Sequence, residues 1–234
     1  MAVQFLFSLT YKLLLLSYNL KATMKSFFLV IFIMYCYFSP AQKNNELIDT
    51  RSKKESFTKV GQKEIRADLA TFTMGGVDES VGKEQLKKIS FNSFSSDSMS
   101  FEGDGIKATV ATAPFDAANH KLLYDEKYLV KIDRKTYYGA YGSLPRKHIS
   151  RVTLIIGKDT IAIPAAAYSD LYNLNLTYVD KSGTKRSANG IYRSKDGHRI
   201  YLYLFCKDNT GSYEVTWVIQ GNKYLRRVVD YGFM

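Results

Sequence analysis

The C-terminal stretch RIYLYLFCKDNTGSYEVTWVIQGNKYLRRVVDY, residues 199–231, decides the fold class. Its apolar runs at 199–206, 213–220 and 223–231 are separated by segments rich in Asp, Asn and Gly. This alternation of strand formers and turn residues predicts a meander of antiparallel strands. In the first run, the even-numbered residues Ile200 to Cys206 share one face, and Tyr201, Tyr203 and Phe205 share the other. Because both faces are apolar, we expect this strand to be central and covered on both sides.

The last hairpin can be given a register from its turn. If Gly221 and Asn222 form a two-residue loop, the numbers of paired residues sum to 443 and Trp217 opposes Arg226. One face then carries a candidate ligand-binding platform made of Tyr213, Trp217, Tyr224 and Arg226. If exposed, such a platform stacks on sugars or presents a patch to a protein; if buried, it is a core face with Arg226 over Trp217. We favour the core interpretation, because aromatic residues are common strand formers.

The pattern outside the meander also favours strands. A helical turn or two is expected over Pro164–Tyr172, where Pro precedes three alanines, and a short helix over Lys83–Ile89. The whole predicts one β-rich domain over residues 67–234, either an antiparallel sandwich or a curved sheet with one or two short helices. Further strands are predicted over residues 106–110, 128–132, 152–156, 160–163 and 174–179.

The N-terminal residues 1–41 predict a secretory signal peptide. A basic start at Met24–Lys25 precedes the apolar run Phe27–Phe38, and cleavage is expected after Ala41. Twelve apolar residues are fewer than the ~20 that cross a bilayer, so no stable membrane span is expected after cleavage. Residues 1–23 are also apolar, and they represent either a start assigned too early, which we favour, or part of a membrane anchor. Residues 42–66 are polar and predict a flexible tether.

The charge first suggests a nucleic-acid or membrane partner. The 234 residues include 33 Lys and Arg against 22 Asp and Glu, a net charge of +11. Three of these positive charges lie in residues 1–41 and a net three more in 42–66, which leaves +5 on residues 67–234. That value is typical of a soluble surface, and an exported chain is not expected to bind nucleic acid.

No catalytic or metal-binding motif stands out. The histidines His120, His148 and His198 lie in separate segments without a second ligand at metal spacing, so no metal and no cofactor is expected. Cys206, the one cysteine left after signal cleavage, is interpreted as a small buried residue rather than a nucleophile. A carboxylate pair for an envelope hydrolase stays open as the alternative, because such residues need only be close in space. The candidates are Asp125, Glu126, Glu214 and Asp230, although the predicted hairpin register also lets Glu214 pair with Arg227.

A basic stretch follows the middle of the chain. It can meet an anionic polysaccharide, lipid headgroups or nucleic acid, but solvated turns between strands are the favoured interpretation. Its members are Lys181, Lys185, Arg186, Arg193, Lys195 and Arg199.

Three motifs resemble a group of exported proteins of Bacteroidetes-type bacteria that has no established activity. They are residues 213–233, Ile163–Tyr172 and the Ser-Lys-Asp-Gly turn at 194–197, and the resemblance covers roughly residues 125–233. The resemblance implies export, to the periplasm or outside the cell, and implies no catalytic residue. We therefore expect a non-enzymatic β-rich protein that binds a protein or a glycan in the cell envelope.

Overall fold

The computed structural model describes residues 60–75, 84–207 and 211–231, together with the backbone of a short strand at 48–50. The predicted signal peptide lies outside these ranges. One α-helix, α1, spans Lys63–Leu69, and 3-10 turns span Ala117–Asn119 and Ala165–Ala167. The strands are β1 (Ile48–Thr50), β2 (Lys87–Ile89), β3 (Phe91–Phe94), β4 (Ser98–Gly103), β5 (Ile106–Pro114), β6 (Leu122–Asp125), β7 (Tyr128–Ile132), β8 (Lys147–Ile156), β9 (Asp159–Ile161), β10 (Tyr178–Val179), β11 (Lys185–Arg186), β12 (Gly190–Arg193), β13 (Arg199–Cys206), β14 (Tyr213–Gln220) and β15 (Lys223–Tyr231).

The strands form two main sheets. The first has the order β1-β15-β14-β13-β12-β2, and its four strands from β12 to β15 are consecutive antiparallel neighbours. The second has the order β3-β4-β5-β8-β9 and is antiparallel throughout. The predicted mainly-β class and the C-terminal meander are therefore confirmed.

The main core lies between the two sheets. A single cluster of buried side chains joins residues of the first sheet, such as Leu202 and Trp217, to residues of the second, such as Phe101 and Leu154. Along strands such as β5 these residues alternate with more exposed ones, so one face of the strand contributes to the core. The arrangement is a sandwich, one of the two alternatives that the sequence predicts.

The outer face of the first sheet is covered by α1. Ile65 and Leu69, one helical turn apart, are buried against Tyr201, Val218 and other residues of this face. This second layer explains why both faces of β13 are apolar. Residues before position 67 therefore belong to the packed part of the chain, although the sequence predicts a flexible tether over residues 42–66. Strand β1 lies within this predicted tether and pairs in parallel with β15.

The segment expected to form a helix over residues 83–89 ends in a strand instead. Ile89 is buried in the main core and pairs with Ile191, so β2 closes one edge of the first sheet. The spacing of Leu86 and Ile89 is compatible with one helical turn, but pairing with β12 at the edge of the sheet satisfies the backbone hydrogen bonds equally well. By contrast, Pro164 does precede a single helical turn at Ala165–Ala167, as predicted.

The last hairpin contains a bulge. Its two-residue turn is the predicted one, since Gln220 pairs with Lys223 and Ile219 with Tyr224. The register then shifts, Val218 pairs with Arg226, and Leu225 is left out of the pairing. A bulge of this kind moves every later residue of its strand to the other face. Arg227, not Arg226, therefore lies opposite Trp217.

A small hairpin of β6 and β7 packs over a third buried cluster formed by Leu129, Ile132 and Tyr172. The following loop approaches the chain closely at Gly139, whose φ is +78°. A Cβ atom there would lie 2.4 Å from the carbonyl oxygen of Tyr172, so only glycine fits.

In the described ranges, no helix is both long enough and apolar enough to pass through a lipid bilayer.

Candidate functional site

The predicted aromatic platform lies in the core. Trp217 and Tyr213 are both 0% exposed. The indole Nε1 of Trp217 donates to the carbonyl oxygen of Ala167 at 2.9 Å. The hydroxyl of Tyr213 donates to the carbonyl oxygen of Tyr172 at 3.0 Å. Tyr224 is half-buried at the edge of the same cluster, and burial raises its pKa to about 12. No sugar or partner can stack on these rings without opening the sandwich, which agrees with the core interpretation.

The cation of this face is Arg227 rather than Arg226. Its guanidinium is buried and donates to both carboxylate oxygens of Asp170, at 2.5 and 2.9 Å, and to Ala167 at 3.3 Å. It also lies over the ring of Tyr138, 5.9 Å from the centroid. The expected pairing of Arg227 with Glu214 is therefore wrong, because the bulge puts the two side chains on opposite faces. This ion pair anchors the 3-10 turn at Ala165–Ala167 to the first sheet.

The basic stretch divides into two groups, and three of its six cations have carboxylate partners. In the β10–β11 hairpin, Arg186 pairs with Asp180. Beyond β12, Lys195 pairs with Glu84. Lys181 and Lys185 are exposed, and the ammonium of Lys185 lies over the ring of Phe94, 5.8 Å from its centroid. Arg186 and Lys195 are therefore compensated by carboxylates, whereas Lys181 and Lys185 are exposed cations of the β10–β11 hairpin.

The second group is tied to α1. Arg199 binds Asp68 at 3.2 Å and Asp196 at the same distance. Arg193 makes only a long contact, 3.5 Å, with the carbonyl oxygen of Gly197. The carboxylate of Asp68 also accepts from the hydroxyl of Tyr201 at 2.5 Å, so Arg199 belongs to a structural contact between helix and sheet.

Glu214 is a buried carboxyl group on β14 with a raised pKa. Its side chain is buried and accepts from the hydroxyl of Tyr203 at 2.8 Å and from the backbone N–H groups of Met74 and Gly75 at 2.8 and 2.9 Å. Burial raises the pKa of Glu214 to about 7, and the neighbouring Asp230 acts in the same direction. The three hydrogen bonds oppose this shift without cancelling it.

Glu214 and Asp230 form the one pair among the predicted carboxylates that the fold brings together. They are register partners on β14 and β15, which places their Cβ atoms ~5 Å apart. Both are buried, and neither lines either of the two cavities described below. Asp125 and Glu126 are exposed in the turn of the β6–β7 hairpin. The geometry thus gives a buried carboxyl pair in which Glu214 binds the backbone of Met74 and Gly75.

His120 and Cys206 each contact a neighbouring polar group. His120 Nδ1 lies 2.7 Å from Asp133, and this contact, followed by the backbone N–H of Lys121, lowers the pKa of Asp133. No group of three or more His, Cys, Asp or Glu side chains within the described ranges is placed to hold a metal ion. Cys206 is buried in the main core, and its thiol donates to the carbonyl oxygen of Asn173 at 3.1 Å.

An exposed aromatic surface lies at the β6–β7 hairpin, where sequence patterns alone do not indicate a site. We call Tyr124, Tyr128 and Tyr141 the tyrosine surface; they are 48, 52 and 81% exposed. The backbone N–H of Leu129 donates to Gly142 at 3.1 Å, which joins β7 to the loop that carries Tyr141. The ring of Tyr128 packs on Gly142, where a Cβ atom would lie 3.1 Å from it.

The tyrosine surface rests on Tyr137. Its hydroxyl donates to Leu129 at 2.9 Å, and its pKa is raised by burial and, more weakly, by both Tyr124 and Tyr141. Tyr137 therefore lies within electrostatic reach of Tyr124 and Tyr141, and Tyr128 packs on Gly142 of the loop that carries Tyr141. Exposed apolar side chains border it, namely Leu123, Val130 and Leu144.

A cleft of about 410 Å³ lies where β5 ends and β8 begins. This size is within the range of small-ligand sites. It is lined by Asp97, Thr112, Ala113, Pro114, Arg146, Lys147, Asn173 and Asn175. A second, more open cavity of about 520 Å³ lies beside the paired Lys195 and Glu84.

Comparisons with protein-family models, with curated proteins and with solved structures give no match to this chain.

Proposed function

We propose that this chain is an exported, non-enzymatic protein of the cell envelope that binds a glycan through the tyrosine surface. The observation that carries the proposal is the exposure of Tyr124, Tyr128 and Tyr141 on one hairpin and its neighbouring loop. Large aromatic rings usually bury most of their area in a core, so a group of exposed rings is a feature that needs an explanation.

The chemistry of the surface suits sugars. The face of a tyrosine ring stacks on the C–H faces of a pyranose, and its hydroxyl exchanges hydrogen bonds with sugar hydroxyls. The rings alternate with charged side chains of the same hairpin, such as Asp125, Lys127 and Lys131, all of which are exposed. Lys127 itself lies over Tyr128, 5.3 Å from the ring centroid. Polar groups among separated rings are favourable for a hydroxyl-rich ligand.

The backbone supports the rings before a ligand arrives. The Leu129–Gly142 hydrogen bond and the three carbonyl contacts of the Tyr137 hydroxyl hold β7 and the loop together. Such preorganisation lowers the entropy that ordering would cost on binding. The basic leader, its expected cleavage after Ala41 and the polar segment that follows support export as the setting of this binding.

A protein partner is the second candidate, favoured by the exposed aliphatic residues Leu123, Val130 and Leu144 beside the rings. A protein interface requires a continuous apolar centre of this type, with aromatic hot spots inside it. The two candidates make different demands on these aliphatic residues, and this difference can be tested.

The experiment is a glycan-array screen followed by calorimetry with the purified protein and its Tyr128→Ala and Tyr141→Ala variants. We expect each variant to weaken glycan binding about tenfold, which corresponds to ~1.4 kcal/mol, without loss of the folded state in thermal unfolding. The matched control is Tyr178→Ala, since Tyr178 is also 49% exposed but lies on the separate β10–β11 hairpin.

Unchanged glycan binding in both variants, or the absence of any glycan ligand, would refute the proposal. Loss of binding to an envelope protein in a Leu123→Ser variant, with no glycan bound by the original protein, would instead support the second candidate. Protein sequencing of the exported form that starts at Gln42 would support export, whereas material that retains Met1 would contradict it.

A further inference from the structure

The cleft between β5 and β8 has a fixed frame. The side-chain oxygen of Asn173 accepts from the backbone N–H groups of Arg146 and Lys147, at 2.8 and 3.4 Å, and the N–H of Asn173 donates to the carbonyl oxygen of Lys147 at 2.9 Å. Asn173 adopts this position with a φ of +52°, which asparagine tolerates better than most residues. The backbone that carries both cations is therefore held on one side by a buried amide.

The opposite wall is also tied down. Thr112, opposite a bulge at Ser150 of β8, donates from its backbone N–H to the carbonyl oxygen of Asp97 at 2.8 Å. The backbone N–H of Phe115 donates to the carbonyl oxygen of Arg146 at 2.9 Å. Bulges of this kind are common next to binding sites, because they redirect side chains at the end of a strand.

The charge of the cleft is not compensated. Arg146 is exposed and its guanidinium makes no hydrogen bond or ion pair with any residue of the described ranges. This differs from Arg186, Arg199 and Arg227, each of which binds a carboxylate. The single carboxylate that lines the cleft, Asp97, accepts from Ser96 at 2.9 Å, and two cations face it. An unpaired guanidinium in a concave site is suited to a planar or tetrahedral anion.

The cleft is connected with the tyrosine surface by one loop. Tyr141 and Arg146 are five residues apart, so their Cα atoms are separated by at most ~18 Å even if the loop is extended. A ligand of several sugar units is long enough to reach both. The amide of Asn175, which donates to the carbonyl oxygen of Lys207 at 2.7 Å, adds a further polar group to the cleft.

We infer that the cleft holds the acidic group of the bound sugar chain, so that the ligand of this protein is an anionic glycan with Arg146 as its principal contact. This inference rests on the proposed glycan binding by the tyrosine surface. A carboxylate and a sulfate ester present the same chemistry to Arg146, and Lys147 adds a second positive charge at the same place.

The test measures binding of three probes by calorimetry: a galacturonate oligosaccharide, a sulfated dextran oligosaccharide and a neutral dextran oligosaccharide of similar length. We expect at least one anionic probe to bind tenfold or more tightly than the neutral probe, and this advantage to fall with added salt. The tighter of the two anionic probes identifies the group as a carboxylate or a sulfate.

The variant is Arg146→Gln, and its matched control is Arg151→Gln on β8, the strand that begins directly after Arg146; this control removes the same charge from an exposed side chain outside the cleft. We expect Arg146→Gln to abolish the preference for the anionic probe and to leave neutral binding unchanged, while Arg151→Gln retains the preference. Equal loss in both variants would overturn the inference, because it would indicate general surface charge.

The failures of the two proposals can be separated. If all probes bind equally and Tyr128→Ala weakens them, the tyrosine surface binds glycans and the inference about the cleft is wrong. If the anionic probe depends on Arg146 but not on Tyr128 or Tyr141, the cleft binds an anion and the glycan proposal fails. Preferential binding of a poly-glutamate peptide over both anionic sugars would overturn the assignment to a glycan.

Discussion

Replacement of Glu214 by glutamine should remove most of the pH dependence of stability between pH 5 and pH 8. The carboxyl of Glu214 has an ordinary pKa of 4.5, and burial raises it to about 7 in the folded protein. Between these values the folded state holds a proton that the unfolded state has released. Stability is therefore greatest at the lower end of this window and falls as the pH rises through it.

The size of this effect follows from the shift. A difference of about 2.5 pKa units, at 1.36 kcal/mol per unit, gives a loss of about 3 kcal/mol in the free energy of unfolding between pH 4.5 and pH 7. Glu214→Gln cannot ionise, so its unfolding free energy should lack this fall. The glutamine also sets an NH₂ group against one of three donors, the backbone N–H groups of Met74 and Gly75 and the hydroxyl of Tyr203. This costs ~1–3 kcal/mol and is nearly independent of pH.

The measurement is denaturant unfolding from pH 5 to pH 8.5, followed by the fluorescence of Trp217. Trp217 is the single tryptophan of the chain and is buried, so its emission reports the opening of the core. His148 acts in the same window with the opposite sign, because burial lowers its pKa, but it is present in both proteins and cancels in their difference. An exposed control, Glu102→Gln, should retain the slope of the original protein. Parallel curves for the original protein and Glu214→Gln would refute the reasoning.

Two further predictions concern the core. Arg227→Met should destabilise the protein by ~3–5 kcal/mol, because it leaves the carboxylate of Asp170 without its buried partner, whereas Arg226→Met should cost ~1 kcal/mol or less. Equal effects in urea unfolding would contradict the bulge that separates the two arginines. In a protein that carries Cys36→Ser, the thiol of Cys206 should react with a disulfide reagent roughly a hundredfold more slowly in the folded than in the unfolded state. Rapid labelling of the folded protein would instead favour a reactive cysteine.

The sequence predicts the fold best where the hydrophobic periodicity and the turn residues indicate the same structure. The apolar runs from Arg199 to Tyr231 and the Gly221–Asn222 turn lead directly to the meander that the structure has. The two apolar faces of β13 predict its cover on both sides, although the pattern does not say that α1 supplies one of them. The helix lies in a polar segment where only Ile65 and Leu69 carry the signal, and two apolar residues are too few to distinguish a packed helix from a tether.

The candidate site was less accessible from the sequence, because it depends on exposure rather than on residue type. The strand β7 was predicted over Tyr128–Ile132, yet its pattern of Tyr, Leu, Val and Ile is equally compatible with a fully buried strand. Only the position of the hairpin at the periphery leaves Tyr128 exposed while Leu129 is buried. Likewise, Arg146 and Asn173 are 27 residues apart, and no local pattern indicates that an amide of one fixes the backbone of the other.

The bulge in the last hairpin shows why one error in register is hard to detect in this sequence. A shift by one residue exchanges Arg226 with Arg227 and Val228 with Val229, so these positions receive the same residue type in either register, and only the exchange of Asp230 with Tyr231 differs. The hydrophobic pattern, which normally penalises such a slip by exposing a whole apolar face, therefore distinguishes the two registers only at the end of the strand. The choice is made by long-range contacts instead: Asp170 and the carbonyl oxygen of Ala167 accept from the arginine that faces Trp217. The core position opposite Trp217 is therefore assigned to Arg227 by the bulge near the turn and by an ion pair with a residue distant in sequence. The tandem Arg226-Arg227 is the one local indication that either arginine can occupy this position.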